Sequence, residues 1–189
     1  MTIAQTARLL CHPTTQATPL LGIEVGISRP ASGSLVLTFR AEGDLARVRW
    51  PPPRPPRVVH QLWEHTCFEA FIAAADEPAY HELNFAPSGE WAGYAFRSYR
   101  EVTGLADEAL APRIEVRRAG DRLELDASVA LDRLARSYAR APLRLGLSAV
   151  IEDQEGALSY WSLRHPAGRP DFHHADALAL RLEPPPGEW

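Results

Sequence analysis

Two acidic residues, Glu69 and Glu82, are set into runs that are otherwise apolar and aromatic, CFEAFI and YHELNF. A carboxylate in such surroundings costs several kcal/mol unless it has a partner, so each must meet a ligand or a cation. Side chains of an extended chain alternate between two faces. Tyr80, Glu82 and Asn84 therefore share one face, with His81, Leu83 and Phe85 on the other, and Cys67, Glu69 and Phe71 share a face of the preceding run. In the next aromatic run Trp91 and Arg97 fall in one register. Tyr94, Phe96 and, if the strand runs on, Arg100 fall in the opposite one. Acid, amide, guanidinium and aromatic groups on one concave sheet face describe a site for a small polar molecule, because carboxylate and amide bind hydroxyls while rings cover C–H surface. The candidate ligand-binding residues on this reading are Trp63, Glu69, Glu82, Asn84, Trp91, Arg97 and Arg100. Two alternatives use the same acids: an ion pair of Glu69 or Glu82 with Arg97 or Arg100, and a Glu69/Glu82 pair acting as general acid and base on a carbohydrate.

Other chemistries find less support. Three of the seven His fall in HPAGRPDFHH, where His165, Asp171 and His173 form an alternative metal-ligand set. His173 and His174 are adjacent, so on an extended chain they point apart and at most one joins Asp171. His60, Glu64 and His65 have HxxxEH spacing in a strand-like context, whereas a zincin needs two His on one helix face. Haem would need a bis-His or similar arrangement, because Met1 is the sole methionine and there is no lysine. The absence of lysine also excludes Schiff-base catalysis, pyridoxal-phosphate attachment and a P-loop. No GxSxG elbow or flavin motif occurs. The expectation is a binding protein with no catalytic residues, no metal and no cofactor.

The elements that position these residues are strands. Turn chemistry at Asp76-Glu77-Pro78 and Pro87-Ser88-Gly89 separates three aromatic runs between residues 62 and 100 into successive hairpins. Ser34 to Arg40 reads as a central strand, and residues 7 to 29 carry a weaker alternating pattern. Arg113 to Arg118 and Arg122 to Val129 form a hairpin across Ala119-Gly120-Asp121. Leu143 to Glu152 pairs with Leu158 to Leu163, and Ala177 to Leu182 supplies a last strand. Leu131 to Tyr138 has helical spacing of apolar residues, and a helical turn is placed within Thr103 to Pro112. PPPRPP at 51 to 56 reads as a stiff extended loop.

Short strands at spacings of about ten residues with one short helix predict an all-β, antiparallel sandwich. The 189 residues, 46% hydrophobic, suit one domain with its core at about 9–182 and a flexible tail at 183–189. A net charge of −4 gives no footprint for nucleic acid or an anionic membrane. With no apolar leader segment and no apolar run of about 20 residues, the chain reads as cytoplasmic. Cys11 and Cys67 are then expected as free thiols, although two cysteines can pair.

The strings LWEHTCFEAFI and YHELNFAPSGEWAGYAFRSYR, followed by SAVIE, SYWSLRHP and PDFHH, resemble the bacterial DOMON-like family, including its MurB-like subgroup. More distantly the chain is similar to family 9 carbohydrate-binding modules, and the resemblance runs from about residue 9 to 182. It implies a sandwich of jelly-roll type, a fold whose members bind sugars or haem. In the sugar-binding modules, Trp side chains sandwich the ring while a Glu, an Asn and an Arg take hydroxyls. Carried over by motif, Glu69 in CFEAF, Asn84 and Trp161 would take these roles. The expected ligand is a sugar or sugar derivative, and a cytoplasmic setting favours a metabolite, a nucleotide sugar or a wall precursor over a polymer.

Overall fold

The structure, a computed structural model, describes residues 4–15, 17–105 and 108–185. Of the expected tail, 186–189 lie outside the described residues, as does Met1. Twelve strands are present among those described: β1 (Ala4–Cys11), β2 (Leu20–Ser28), β3 (Ser34–Gly43), β4 (Cys67–Ala74), β5 (Tyr80–Phe85), β6 (Trp91–Ser98), β7 (Glu101–Leu105), β8 (Arg113–Ala119), β9 (Arg122–Ala130), β10 (Leu143–Glu152), β11 (Leu158–Ser162) and β12 (Leu180–Leu182). All pair antiparallel, in the order β7-β6-β5-β4-β10-β11-β1-β2-β3-β9-β8, with β12 beside the start of β10.

The path bends into two layers at β1. Ala4 to Leu9 pair with β2, whereas Leu10 and Cys11 pair with Ser162 and Trp161 of β11, so one strand belongs to both sheets. The first layer is β1-β2-β3-β9-β8 and the second β7-β6-β5-β4-β10-β11. Their facing sides close over one cluster of buried side chains that includes Val25, Leu37 and Phe39 from the first and Phe68, Ile72, Leu83 and Leu147 from the second. Phe39 and Phe68 touch across the layers with ring centroids 5.0 Å apart. An antiparallel β-sandwich is thus the observed fold. Both thiols are free. None of the described helices is long and apolar enough to cross a membrane.

The first layer alternates cleanly between buried and wetter residues, as in β9, but β4 is buried at all eight positions. A strand buried on both faces must be covered outside as well as inside. Here the outer cover is a second cluster of Phe71, Ala73, Tyr80, Ala92, Tyr94, Phe96 and Leu178, with Leu62 and Phe172 packed against it. Gly146 of β10 lets the covering chain settle directly on the sheet, because a Cβ there would sit 3.1 Å from the Ala177 carbonyl oxygen and 3.3 Å from the Phe71 Cβ. The β4–β6 stretch is therefore sandwiched between the main core and the segment around residues 170–178.

The helix expected over Leu131 to Tyr138 is divided. A single α-turn spans Leu131–Leu134, Ala135 is extended at φ −154°, and a 3-10 turn spans Arg136–Ala139. Tertiary anchors override the local period: the Tyr138 hydroxyl donates to the Ile72 carbonyl at 2.8 Å, and the Arg29 guanidinium donates to the carbonyls of Tyr138 and Ala141. Near Thr103 to Pro112, strand β7 replaces the first part of the expected turn and a 3-10 turn covers Glu108–Leu110. The final strand shrinks to Leu180–Leu182, because Ala175–Ala177 forms a 3-10 turn.

Two tryptophans expected at the ligand belong to the core. Trp91 and Trp161 are 2% and 4% exposed and lie in the inter-layer cluster. The Trp161 indole N–H donates to Ser159 Oγ at 3.1 Å. Trp161→Ala is therefore expected to destabilise the fold by about 3–5 kcal/mol, since it empties a large core volume. Trp63→Ala, at a position 39% exposed, should change stability by under about 1 kcal/mol. Urea denaturation of the two variants checks this contrast.

Candidate functional site

Strand register gathers the polar residues of the second layer on its outer face. Ser162 of β11 pairs with Ser148 of β10, Ser148 with Glu69 of β4, and Glu69 with Asn84 of β5. Glu82 stands two residues from Asn84 on the same face, diagonal to Glu69. The result is a polar strip across four strands, flanked by Cys67, Phe71, Tyr94 and Phe96 on the same face.

Above this strip opens a cleft of about 410 Å³ lined by Glu69, Glu82, Phe71, Tyr94 and Phe96 from the sheet, and by Val102, Val150 and Tyr160 beside them. Trp63 and Arg100 stand at its rim, and Pro170, Phe172 and His173 come from the covering segment. Each wall has a local cause. Trp63 rides on the 3-10 turn Leu62–Glu64 and meets the Tyr94 ring edge-on at 5.5 Å. Arg100 adopts the left-handed region at φ 56° in the β6–β7 turn, and its guanidinium bonds Asp171 at 2.9 Å. Tyr99 donates to the other Asp171 oxygen at 2.6 Å, which ties the covering segment to that turn.

The electrostatics of the floor are unusual. Glu69 and Glu82 are 1% and 5% exposed. Glu69 accepts from Ser148 Oγ at 3.0 Å and from the Cys67 thiol at 3.5 Å; Glu82 accepts from Asn84 Nδ2 at 2.8 Å. Burial, and then the proximity of Glu82, push the Glu69 carboxyl up to about 8. Burial pushes Glu82 up to about 7, against the opposing pull of Asn84 and Arg100. Such a pair titrates as a unit and holds close to one proton between these values. Burial raises the Cys67 thiol well above its ordinary range, so it stays protonated beside Glu69.

His173 does not supply the missing positive charge. The Tyr80 hydroxyl accepts from the Arg100 backbone N–H at 3.1 Å and is hydrogen-bonded to His173 Nδ1 at 2.9 Å. His173 Nε2 faces Glu82 Oε2 at 3.6 Å, beyond a direct hydrogen bond. Burial and Arg100 hold His173 down at about 4, so at neutral pH it is an uncharged imidazole and the contact is not an ion pair.

Of the residues nominated from sequence, Trp63, Glu69, Glu82 and Arg100 line the cleft, and Asn84 lies fully buried in the floor, bonded to Glu82. Three lie elsewhere. Trp91 and Trp161 point to the inter-layer core, and Arg97 is exposed beyond the end of the core, paired with Glu101. Neither Arg97 nor Arg100 forms an ion pair with Glu69 or Glu82, because each has a nearer acid. The alternative metal set is dispersed: His165 bonds the Leu10 carbonyl at 2.7 Å, Asp171 binds Arg100, and His173 binds Tyr80. Among the described residues no three His, Cys, Asp or Glu side chains converge to hold an ion. Sequence reasoning omitted Ser148, Ser162, Tyr160 and Phe172. Alternation along β10 and β11 against the Leu143, Leu145 and Leu147 register signals the first three; nothing local signals Phe172.

Fold and site together define an antiparallel β-sandwich with a carboxyl-floored, aromatic-walled cleft on one outer face. No family profile matches the chain, and no curated protein matches it. Among solved structures it is similar to a candidate carbohydrate-binding protein from Bacteroides uniformis, with a TM-score of 0.65 at 13% identity, over 93% of this chain and 83% of that one. A family 9 carbohydrate-binding module from Caldicellulosiruptor kristjanssonii, solved with cellotriose, aligns at a TM-score of 0.49 and 10% identity, over 86% of this chain and 75% of that one. At these identities the likeness is one of fold.

The carboxyl pair has a pH signature of known sign. A carboxyl whose pKa is raised by folding stabilises the protonated native state. That stability is fully present below about 4.5 and is lost as pH rises through about 7 to 8. The wild type should thus lose stability between pH 5 and 9, on the order of a few kcal/mol for groups displaced this far. Glu69→Gln, a neutral isostere, should flatten the profile and equal or exceed the wild type at pH 8.5. Thermal melts across this range decide it.

Proposed function

We propose that the chain is a single DOMON-like β-sandwich domain, akin to the family 9 modules, that binds a sugar or sugar derivative without transforming it. The observation that carries this reading is the floor: two buried carboxyls with no cation bonded to either among the described residues, beneath an open cleft of about 410 Å³. Hydrogen-bonding oxygens below and rings at the sides suit a flat, hydroxylated ring, which offers donors at its edge and C–H bonds on its faces. The B. uniformis protein, described as a carbohydrate binder, is consistent with that assignment.

Binding rather than hydrolysis is favoured by the placement of the acids. A glycosidase pair flanks the scissile bond, with carboxyls about 5–5.5 or 6.5–9.5 Å apart on either side. Here both carboxyls rise from neighbouring strands of one floor, and among the described residues no other acid lines the cleft.

Thermal-shift screening of the wild type against monosaccharides, disaccharides and nucleotide sugars tests the proposal, followed by calorimetry on each hit. Glu69→Gln should weaken binding about tenfold or more, the loss expected for a charged hydrogen bond of about 1.5–3 kcal/mol. Trp63→Ala should weaken it in parallel through the lost ring contact, and Arg97→Ala should leave it unchanged. A panel with no hit, or hits indifferent to Glu69 and Trp63, would contradict the reading.

A further inference from the structure

The floor has a surplus of acceptors. Three of its donors, Ser148 Oγ, the Cys67 thiol and Asn84 Nδ2, are spent on Glu69 and Glu82. Asn84, itself fully buried, leaves Oδ1 without a hydrogen-bond partner, and buried Ser162 Oγ at the other end of the strip is likewise open. Both carboxylates retain lone pairs toward the cleft. An acceptor left unpaired away from water is costly, so the floor is matched by a guest that is rich in donors.

Among the described residues no cation is hydrogen-bonded to either acid. Arg100 is the one Arg lining this cleft, and its guanidinium, half exposed, is committed to Asp171. Burial and the nearby Arg100 keep His173, hydrogen-bonded to Tyr80, an uncharged neighbour. Around the opening stand the faces and edges of Trp63, Phe71, Tyr94, Phe96, Tyr160 and Phe172. Aromatic walls over an anionic floor form the environment in which a cation is attracted by ring quadrupoles as well as by carboxylates.

We propose, building on the reading of this cleft as a sugar site, that its preferred ligand is cationic: an amino sugar whose ammonium group sits over Glu69 and Glu82 and donates to their carboxyl oxygens. An ammonium brings three N–H donors and one positive charge, the two things the floor is short of. A neutral hydroxyl brings one donor and no charge. Binding such a guest displaces the proton held by the carboxyl pair, so complex formation should release protons near neutral pH. Affinity should rise with pH while the carboxyls ionise, and fall once the amine itself loses its proton.

Calorimetry on the full chain with matched test ligands distinguishes the possibilities: glucosamine against glucose and N-acetylglucosamine, galactosamine against galactose, and cyclohexylamine against cyclohexanol. The expected result is at least tenfold tighter binding of each amine than of its neutral counterpart. The binding heat should differ between buffers of different ionisation enthalpy, reporting proton release. Glu69→Gln and Glu82→Gln should each erase most of the amine preference; should one variant fail to fold, the other and the wild-type buffer dependence still decide. Neutral sugars binding as tightly as amines would overturn the cationic preference and leave the sugar site standing. Binding of cyclohexylamine but of no sugar would do the reverse. Failure of every member would remove both.

Discussion

Two carboxyl groups share the outer face of one sheet, nearly out of contact with water and without a bonded cation. Everything around them can be understood as a response to that constraint. A buried carboxylate pair is intolerable if both members are ionised, and tolerable if a proton is shared or a cation is supplied. The protein provides small dipoles instead of a counter-ion: Ser148, Cys67 and Asn84 each donate one hydrogen bond. These support the acids without neutralising them. Arg100 acts from farther away, through its field at Glu82, while its hydrogen bonds go to Asp171.

The same constraint explains why the second layer is buried on both sides. Were its outer face open to water, the acids would be solvated and ordinary. The covering segment around residues 170–178 prevents this, and three contacts hold it down: Asp171 to Arg100, Asp171 to Tyr99, and His173 to Tyr80. Gly146 allows the close approach of the Ala177 carbonyl. One inter-layer core fixes the strand register, register aligns Ser162, Ser148, Glu69 and Asn84 in one strip, and the cover turns that strip into the floor of a cleft. Packing energy spent on the fold is what keeps the acids away from water.

Much of this was legible in the sequence because strand alternation is a strict geometric rule. It places Glu69 with Phe71, and Glu82 with Asn84, on one face, and the runs around them are long enough to leave the period unambiguous. Three aromatic or charged positions nominated from the sequence lie away from the cleft, for different reasons. Trp91 shares a strand with the cleft residues Tyr94 and Phe96 but lies in the opposite register, and the sequence does not say which register faces the core when both are apolar. Trp161 was placed by motif, and its Cα partner Ala149 shows that it faces the inter-layer side. Arg97 lies past the end of the packed region, where alternation no longer decides burial. The divided helix at Ala135 and the contribution of Phe172 come from tertiary contacts that no local window contains.

The central claim is that the protein holds Glu69 and Glu82 as a coupled pair near neutrality, and carboxyl titration observes this directly. Carbon-13 NMR of the wild type labelled at the glutamate side-chain carboxyl, compared with Glu69→Gln and Glu82→Gln to assign the signals, reports each protonation state. The account predicts two resonances that titrate together with midpoints in the region of about 7 to 8. It also predicts that the surviving member shifts downward when its neighbour becomes an amide. Complete ionisation of every glutamate below about pH 6 would contradict it.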